Sequence, residues 1–206
     1  MIRKHGNFEP VQERADVTRN DILEAALTVF SEKGYAGANT KNIAAAAGVA
    51  TGSVYRYFKN KKVIFIEVMN MLQGRMSFDI FEKARKELEE GNSLRDALRL
   101  LGVYSVESHR SHRMFFREVM ALEATDEEIS AIGRERDRRI RAKLLEFLLS
   151  HKEYLKVDDF DASAELVHLV VEEVSHQAVI FDSDVGEDRL VCQMVIMLEG
   201  YLFGSS

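Results

Sequence analysis

The chain contains little cysteine, proline or glycine, and it has no long apolar run. Its one cysteine, Cys192, excludes an internal disulfide, and its apolar neighbours predict a buried thiol. One proline and twelve glycines among 206 residues are too few for a turn-rich all-β protein. No segment approaches the roughly 18 apolar residues of a membrane span, and the N-terminus lacks the apolar centre of a signal peptide. These absences favour a helical protein of the cytoplasm without a membrane partner.

Charge is divided unevenly along the chain. The net charge is −6, but residues 1–65 carry ten Lys and Arg against six Asp and Glu, whereas residues 66–206 carry eighteen against twenty-eight. From Lys33 to Ile66 there are six basic residues and no acidic one. A surface that binds the phosphate backbone of a nucleic acid disfavours carboxylates. The pattern therefore favours a nucleic-acid partner for the N-terminal part, with a chance fluctuation of charge as the alternative.

The N-terminal part is predicted to form short helices. Residues 1–17 lack periodicity and predict a flexible arm. A helix is predicted from Thr18, as its cap, to the residue before Gly34. Its apolar residues recur at helical spacing: Ile22, Ala26, Val29 and Phe30. Three further caps, at Thr40, Thr51 and Asn60, predict helices over 41–47, over 52–58 and from residue 61 onward.

The second and third of these helices flank a tight turn at Gly48. Glycine permits the positive φ that such a bend needs. Two short helices joined in this way are the sequence form of a helix-turn-helix. Val54 and Phe58 are predicted to point inward, which leaves the polar residues of the second helix facing solvent or DNA.

The stretch TKNIAAAAGVATGSVYRYFKNKKVIF resembles the N-terminal DNA-binding domain of the TetR family of bacterial transcriptional regulators. The matching features are the Ala-Ala-Gly-Val turn ending at Val49, the recognition helix from Thr51 to Phe58, and the Asn60-Lys61 pair. Lys59 and Lys62 depart from the family pattern and add positive charge. The resemblance implies an all-α fold, with a three-helix helix-turn-helix DNA-binding domain over 18–66 and a helical ligand-binding and dimerisation domain over 67–206.

The resemblance also implies which residues contact DNA. The expected set is Thr40, Thr51, Gly52, Ser53, Tyr55, Arg56, Tyr57, Lys59 and Lys61. Thr40, Tyr57 and Lys61 are expected at phosphates, because hydroxyl, phenol and ammonium groups donate hydrogen bonds to phosphate oxygens. Two roles stay open for Arg56, since a guanidinium bonds either guanine or a phosphate. Tyr55 either contacts DNA or packs against the scaffold.

Beyond Glu67 the chain is predicted to stay helical. Caps at Ser93, Thr125, Asp158 and Asp184 mark the starts of helices. The predicted helices, with a break near Gly74 left open, span 61–89, 93–110, 112–122, 126–150, 159–181 and 187–203. An arginine-rich run over 134–141 is interpreted as a solvated face with intrahelical ion pairs.

This second domain offers candidate ligand and dimer residues. The candidate ligand-binding residues are Tyr104, His109, Phe115, Met120, His168 and His176, with ordinary core packing as the alternative. The candidate dimer-interface residues are Val167, Val171, Val174, Met194, Leu198 and Tyr201, with an intrachain core as the alternative. Although His168, Glu172 and His176 form one helical stripe, no set of four ligands is identifiable, so no metal is expected.

The sequence thus predicts a homodimeric transcriptional repressor that binds a palindromic operator in double-stranded DNA. By the resemblance, a small and largely apolar effector releases it, and the fourth helix connects the two functions. No cofactor is expected. One alternative is a DNA-binding regulator without an effector, and another is an all-α enzyme, for which the sequence offers no catalytic constellation.

Overall fold

The structure, a computed structural model, describes residues 11–204. Within that range the chain forms α-helices joined by short connections, with no strand. The helices are α1 (Val11–Gly37), α2 (Thr40–Ala46), α3 (Thr51–Tyr57), α4 (Lys61–Glu89), α5 (Leu94–Ser111), α6 (Arg113–Glu123), α7 (Glu127–Ser150), α8 (Phe160–Ser175) and α9 (Glu187–Phe203). The all-α prediction is confirmed. In this part of the chain no helix has the length and apolar character that crossing a membrane requires.

The chain divides into two compact units, residues 1–71 and residues 72–206. The boundary expected from the sequence lay slightly earlier, between residues 66 and 67. Helix α4 (Lys61–Glu89) begins in the first unit and ends in the second. It is unbroken at Gly74, where the sequence left a break open.

The first helix begins earlier than the sequence predicted. Residues 11–17 are helical, which corrects the expected arm over 1–17 and the expected cap at Thr18. This segment contains good helix formers, so it extends the helix rather than preceding it. The remainder of the predicted arm, residues 1–10, lies outside the described residues. Gly34 interrupts the helix with φ 66° and ψ 168°, at the predicted position.

Aromatic and aliphatic side chains of α1, α3 and α4 form the core of the first unit. The predicted inward face of α1 is confirmed, since Ile22, Ala26 and Phe30 are fully buried. The ring of Phe30 meets that of Phe65 edge-on, with centroids 5.1 Å apart. The predicted inward residues of α3, which include Val54, are also buried. This packing fixes which face of α3 stays accessible.

Helix caps follow the sequence in part. Ser93 forms the predicted capping box with Asp96, and Asn60 accepts a hydrogen bond from the Val63 amide at 3.0 Å. Other predicted caps are wrong by one or two residues. Four of the observed caps are neighbouring residues that have the extended backbone a cap needs, and the fifth, Gly186, has a positive φ of 87°. The observed caps are Asn39 for Thr40, Ala50 for Thr51, Asp126 for Thr125, Asp159 for Asp158 and Gly186 for Asp184.

The second unit packs α5 and α7 to α9 around an aliphatic core. Leu148, Ala164 and Leu202 are among its most deeply buried members. After Ser175 the last turns of α8 widen into a π-helical segment, His176–Ile180. Cys192 is exposed on α9, which corrects the expected buried thiol. Leu190, Val191 and Met194 around it are apolar, but Cys192 itself lies on an exposed side of the helix.

Candidate DNA interface and internal cavity

Helices α2 and α3 form the predicted helix-turn-helix. Gly48 has the expected positive φ, 67°, at the turn between them. The amides of Ala47 and Val49 donate to carbonyls of α2 at 2.9 and 3.0 Å, which closes the turn. Because Val54 and Phe58 hold one face of α3 in the core, the opposite face is presented to solvent.

The expected DNA-binding residues are all accessible to some degree. Gly52, Tyr55, Arg56 and Lys59 are exposed, whereas Thr40, Thr51, Ser53, Tyr57 and Lys61 are half-buried. In the described part of the chain, and apart from its chain neighbours and the backbone of its own helix, no atom lies within 4 Å of the position that a Cβ would take at Gly52. The fold therefore does not require glycine at position 52. A ligand that approached the backbone closely at this position would require it.

A hydrogen bond joins the two helices of the motif. The Thr40 Oγ1 and the Tyr55 hydroxyl lie 2.8 Å apart, yet Tyr55 remains 54% exposed. The two alternatives for Tyr55 are therefore compatible, because its hydroxyl links the helices while its ring stays accessible.

Lys61 is engaged by the protein itself. Its ammonium donates to the carbonyl oxygens of Tyr35 and Ala38 at 2.6 and 2.9 Å. It also lies 4.3 Å from the centroid of the Tyr35 ring, within cation–π range. These contacts tie the start of α4 to the end of α1. A scaffold role was not expected for this residue, which the sequence analysis assigned to a phosphate.

A largely apolar cavity lies within the second unit. It is bordered by residues of α4 to α9, with Phe81, Leu101 and Leu144 among its apolar walls. Of the candidate ligand residues, Tyr104, His109 and His168 line it. Phe115, Met120 and His176 are not among its lining residues; Phe115 is buried elsewhere and Phe116 borders the cavity instead. The Tyr104 hydroxyl donates to Asp79 at 3.2 Å.

Charged side chains gather at one end of this cavity. We call this group the polar cluster, and its members are His109, Glu123, Arg136, Asp137, His168, Glu172 and His176. Nε2 of His109 lies 3.1 Å from a Glu172 oxygen. Arg136 donates to Asp137 at 2.9 Å and to Glu123 at 3.2 Å. The four side chains of the His109–Glu172 and Arg136–Glu123 pairs are largely withdrawn from water.

The cluster shifts the protonation of its members. Burial alone would lower the pKa of His109, but its hydrogen bond to Glu172 and the charge of that carboxylate raise the pKa above its usual value. Burial would raise the pKa of Glu172, but His109 and then Arg136 hold it well below its usual range. Burial lowers the pKa of His176, and the charge of Glu172 offsets this only in part. The charge of Glu172 thus favours the protonated form of His109, whereas burial favours the neutral form of His176.

Arg136 is a member of the polar cluster that was expected on the solvated face of its helix. Most of the arginine-rich run is exposed as predicted, and Arg138 pairs with Glu135 one turn earlier. The Arg136 side chain, by contrast, is only 16% exposed. Helical spacing could have indicated this burial. Arg136 lies four residues after Ile132 and four before Ile140, so it belongs to the same inward stripe.

Apolar side chains are exposed on the outer faces of α8 and α9. These residues, which we call the α8–α9 face, include Leu166, Leu169, Ile196, Met197 and Tyr201. The two helices contact one another, and the Ser163 and Tyr201 hydroxyls lie 2.9 Å apart. The face differs from the predicted interface, since only Tyr201 belongs to both.

For two of the expected interface residues the burial favours the alternative, an intrachain core. Val167 is 7% exposed and Met194 2%, so both are core residues of the protomer. Val171, Val174 and Leu198 are half-buried and pack against the same cores. Helical spacing identified apolar stripes correctly but did not distinguish inward from outward stripes.

The fold and site define a helix-turn-helix regulatory protein with an all-helical second unit. The model of the bacterial regulatory proteins of the tetR family matches residues 22–68, and that of the tetracyclin repressor-like C-terminal domain matches residues 93–202. Since the second match alone covers more than half of the chain, this protein belongs to the TetR family.

Individual relatives agree with this assignment. The fatty acid metabolism regulator protein of Bacillus subtilis is 45% identical over 67 residues, covering 31% of this chain and 34% of the relative. The transcriptional repressor KstR2 of Rhodococcus jostii is 32% identical over 112 residues, covering 52% and 53%. The chain thus spans between about a third and a half of the curated relatives it matches.

Solved structures match over nearly the whole chain. The fatty acid degradation regulator FadR of Bacillus halodurans has a TM-score of 0.69 at 25% identity, covering 96% of this chain and 97% of its own. A transcriptional regulator of Rhodococcus sp. Rha1 has a TM-score of 0.69 at 18% identity, covering 91% and 98%. The second likeness concerns the fold alone.

Proposed function

We propose that the protein is a homodimeric, ligand-responsive transcriptional repressor that binds operator DNA in the cytoplasm. The observation that carries the proposal is the solvent-facing side of α3, which lies within a stretch that has no acidic residue from Lys33 to Ile66. A surface of hydroxyls and cations without carboxylates suits a polyanionic duplex.

On this proposal, α3 enters the major groove. Its seven residues span roughly 10 Å, which is comparable with the groove width. Gly52 lets the backbone approach the duplex, and Arg56 reaches a guanine or a phosphate. Thr51, Ser53, Tyr57 and Lys59 border the same face and donate to bases or phosphates. Lys61 is assigned a positioning role, because two carbonyl oxygens already accept from its ammonium.

A second copy of the chain is proposed to cover the α8–α9 face. Isolated exposed apolar residues are ordinary, but several of them on two helices that contact one another favour an interaction surface. A single recognition helix binds DNA weakly, whereas two helices in one dimer read half-sites about 34 Å apart. Isologous pairing through this face provides such a dimer.

The cavity of the second unit is proposed to bind the effector. Ligand sites are mostly apolar with a few polar groups that orient the ligand, and this cavity has apolar walls with Tyr104 and the polar cluster beside them. Two relatives are named for fatty acid metabolism or degradation. We therefore assign the effector to largely apolar molecules with a polar end, acyl compounds among them.

Effector binding is proposed to shift the dimer between two conformations. The free dimer holds its recognition helices at operator spacing, and the effector favours a state in which that spacing does not fit. A coupling free energy of about 1–3 kcal/mol lowers operator affinity between about 5- and 150-fold. Helix α4 is the covalent connection between the units, so the proposal assigns the coupling to it.

Selection of operator sequences from a random duplex library tests this proposal. The purified protein is expected to enrich an inverted repeat with half-site centres about 10 base pairs apart. Compounds that raise its melting temperature are then added to the complex, and release is followed by fluorescence anisotropy. If no sequence were enriched, DNA binding would be excluded. If ligand-bound and free dimers bound the operator equally, the protein would be a regulator without an effector response.

A further inference from the structure

Three members of the polar cluster bring potential metal ligands together. His109 comes from α5, Glu172 from α8, and His176 from the first turn of the π-helical segment. One donor atom from each lies within 4.8 Å of the others. His109 and Glu172 also line the cavity, so the group is adjacent to space that a ligand or water can occupy.

The orientation of His109 is fixed by the backbone. Its Nδ1 lies 2.8 Å from the carbonyl oxygen of Ser105, which can only accept, so Nδ1 donates. In the neutral ring Nε2 then carries a lone pair, and it lies 3.1 Å from a Glu172 oxygen. Two acceptors at this distance require a proton or a cation. A backbone carbonyl that holds one ring nitrogen is also the usual support for a histidine whose other nitrogen binds a metal.

His176 stands where the regular helix ends. It follows Glu172 by one helical turn, and its ring meets that of His109 edge-on, with centroids 5.3 Å apart. The helix widens into a π-helical segment at this residue. Such local widenings are rare and frequently occur at functional sites.

The charge of the cluster also favours a cation. Glu123, Asp137 and Glu172 contribute three carboxylates, and Arg136 contributes one guanidinium, which is occupied by Glu123 and Asp137. Because a histidine binds a metal in its neutral form, an ion that takes the place of the proton between His109 and Glu172 meets a group with an excess of two negative charges. A divalent cation balances that excess in a region where uncompensated charge is costly.

The geometry points to a binding site for a divalent transition-metal ion, of the Zn²⁺ class, formed by His109 Nε2, the Glu172 carboxylate and the His176 imidazole. Two imidazoles and one carboxylate are a known zinc ligand set, and imidazole selects Zn²⁺ over Mg²⁺ and Ca²⁺. The fourth position remains open to water or to a ligand in the cavity. The sequence predicted no metal site, because the spacing of residues along α8 does not show that His109 of α5 lies beside Glu172 and His176.

A competition titration tests the site directly. Full-length protein, stripped with a chelator and dialysed, is titrated with Zn²⁺ against a chromophoric chelator, without DNA or effector, so the result does not depend on the proposed function. One ion per chain is expected to bind. Glu172→Gln and His176→Gln are expected to weaken binding by about 10-fold or more, a loss at least as large as that caused by supporting residues.

Two further variants make the test specific. His151→Gln replaces a histidine outside the cluster and is expected to leave Zn²⁺ affinity unchanged. His168→Gln removes a ligand of the neighbouring group Asp137, His168 and Glu172, and it is expected to have a smaller effect than His176→Gln. Co²⁺ in place of Zn²⁺ provides visible absorption bands that are expected to weaken in the Glu172 and His176 variants. Circular dichroism checks that each variant is folded.

The proposal is overturned by any of three results. The first would be a wild-type protein that does not bind Zn²⁺ at micromolar concentrations. The second would be Glu172 and His176 variants that bind Zn²⁺ as tightly as the wild type. The third would be loss of binding in His168→Gln but not in His176→Gln.

Discussion

The two units differ in how they use charge. The first unit exposes cations and hydroxyls around α3 and has no acidic residue from Lys33 to Ile66, so its charges are available to a polyanion. The second unit withdraws charges of both signs into the polar cluster beside an apolar cavity. Exposed charges respond to salt and steer association, whereas buried charges must be paired within the protein. The contrast agrees with the proposal that the first unit binds DNA and the second binds a small molecule.

The largest effect is expected from disrupting the α8–α9 face. Ile196 is 56% exposed, so Ile196→Arg leaves the protomer core intact but places a charge where the second copy is proposed to dock. Loss of bivalent binding is expected to weaken operator affinity by about 10²–10⁴-fold. Light scattering measures the mass of the oligomer, and fluorescence anisotropy measures its affinity for the operator.

A matched variant and a chemical probe accompany this experiment. Leu149→Arg, on α7 and 46% exposed, should remain dimeric. Cys192, the only cysteine of the chain, is exposed on α9 and should react with a maleimide faster in the Ile196 variant than in the wild type. A variant that stayed dimeric would place the interface elsewhere.

Next in size is the effect of Gly133→Ala on the polar cluster. A Cβ at Gly133 would clash with the Glu123 carboxylate, so it would displace that carboxylate from Arg136. A partly buried guanidinium would lose one partner, which costs about 1–3 kcal/mol of unfolding free energy. Urea denaturation measures the loss. Gly74→Ala, where no described atom lies within 4 Å of the added Cβ, should instead stabilise by about 0.5–1 kcal/mol. Equal stability of the two variants would show that the Glu123–Arg136 pair contributes little.

A comparable change in free energy, but in DNA binding, is expected from Arg56→Ala. If Arg56 bonds a guanine, affinity for the selected operator falls by about 1–3 kcal/mol and specificity relaxes at one position. If it bonds a phosphate, affinity falls for all DNA sequences, and the slope of log affinity against log salt concentration decreases by about one. Anisotropy at several salt concentrations, with operator and random duplexes, separates these roles. An unchanged affinity for both DNAs would remove Arg56 from the interface.

A free-energy change of the same order, but in stability rather than in DNA binding, is expected from Lys61→Ala. Because the ammonium donates to two carbonyl oxygens, its removal should lower the unfolding free energy by about 1–3 kcal/mol. The salt dependence of DNA binding should stay as in the wild type. Thermal unfolding and salt-dependent anisotropy are measured on the same preparation. A reduced salt dependence with unchanged stability would return Lys61 to the phosphate contacts first expected of it.

The sequence predicted the first unit better than the second for a physical reason. The turn at Gly48 and the inward residues Val54 and Phe58 follow from local backbone preference and helical spacing, which short segments contain in full. Caps were misplaced where two neighbouring residues could both serve, as with Asn39 and Thr40, because the choice depends on backbone angles.

The polar cluster depended on tertiary packing. Glu172 meets His109 from another helix, and no spacing within α8 predicts that contact. The same limit explains Val167 and Met194, since an apolar stripe does not reveal whether its partner belongs to the same chain. Arg136 is the exception, because its place between Ile132 and Ile140 marked it as inward-facing.

The most direct test of the account compares two glycine variants for operator binding. At Gly52 and at Gly74 an added Cβ meets no described atom within 4 Å, so neither Gly52→Ala nor Gly74→Ala should lower the melting temperature. Only Gly52→Ala should weaken binding to the selected operator, by about tenfold or more, since crowding at a close contact costs about 1–3 kcal/mol. Equal operator affinity of the two variants would contradict the claim that α3 reads DNA through its exposed face.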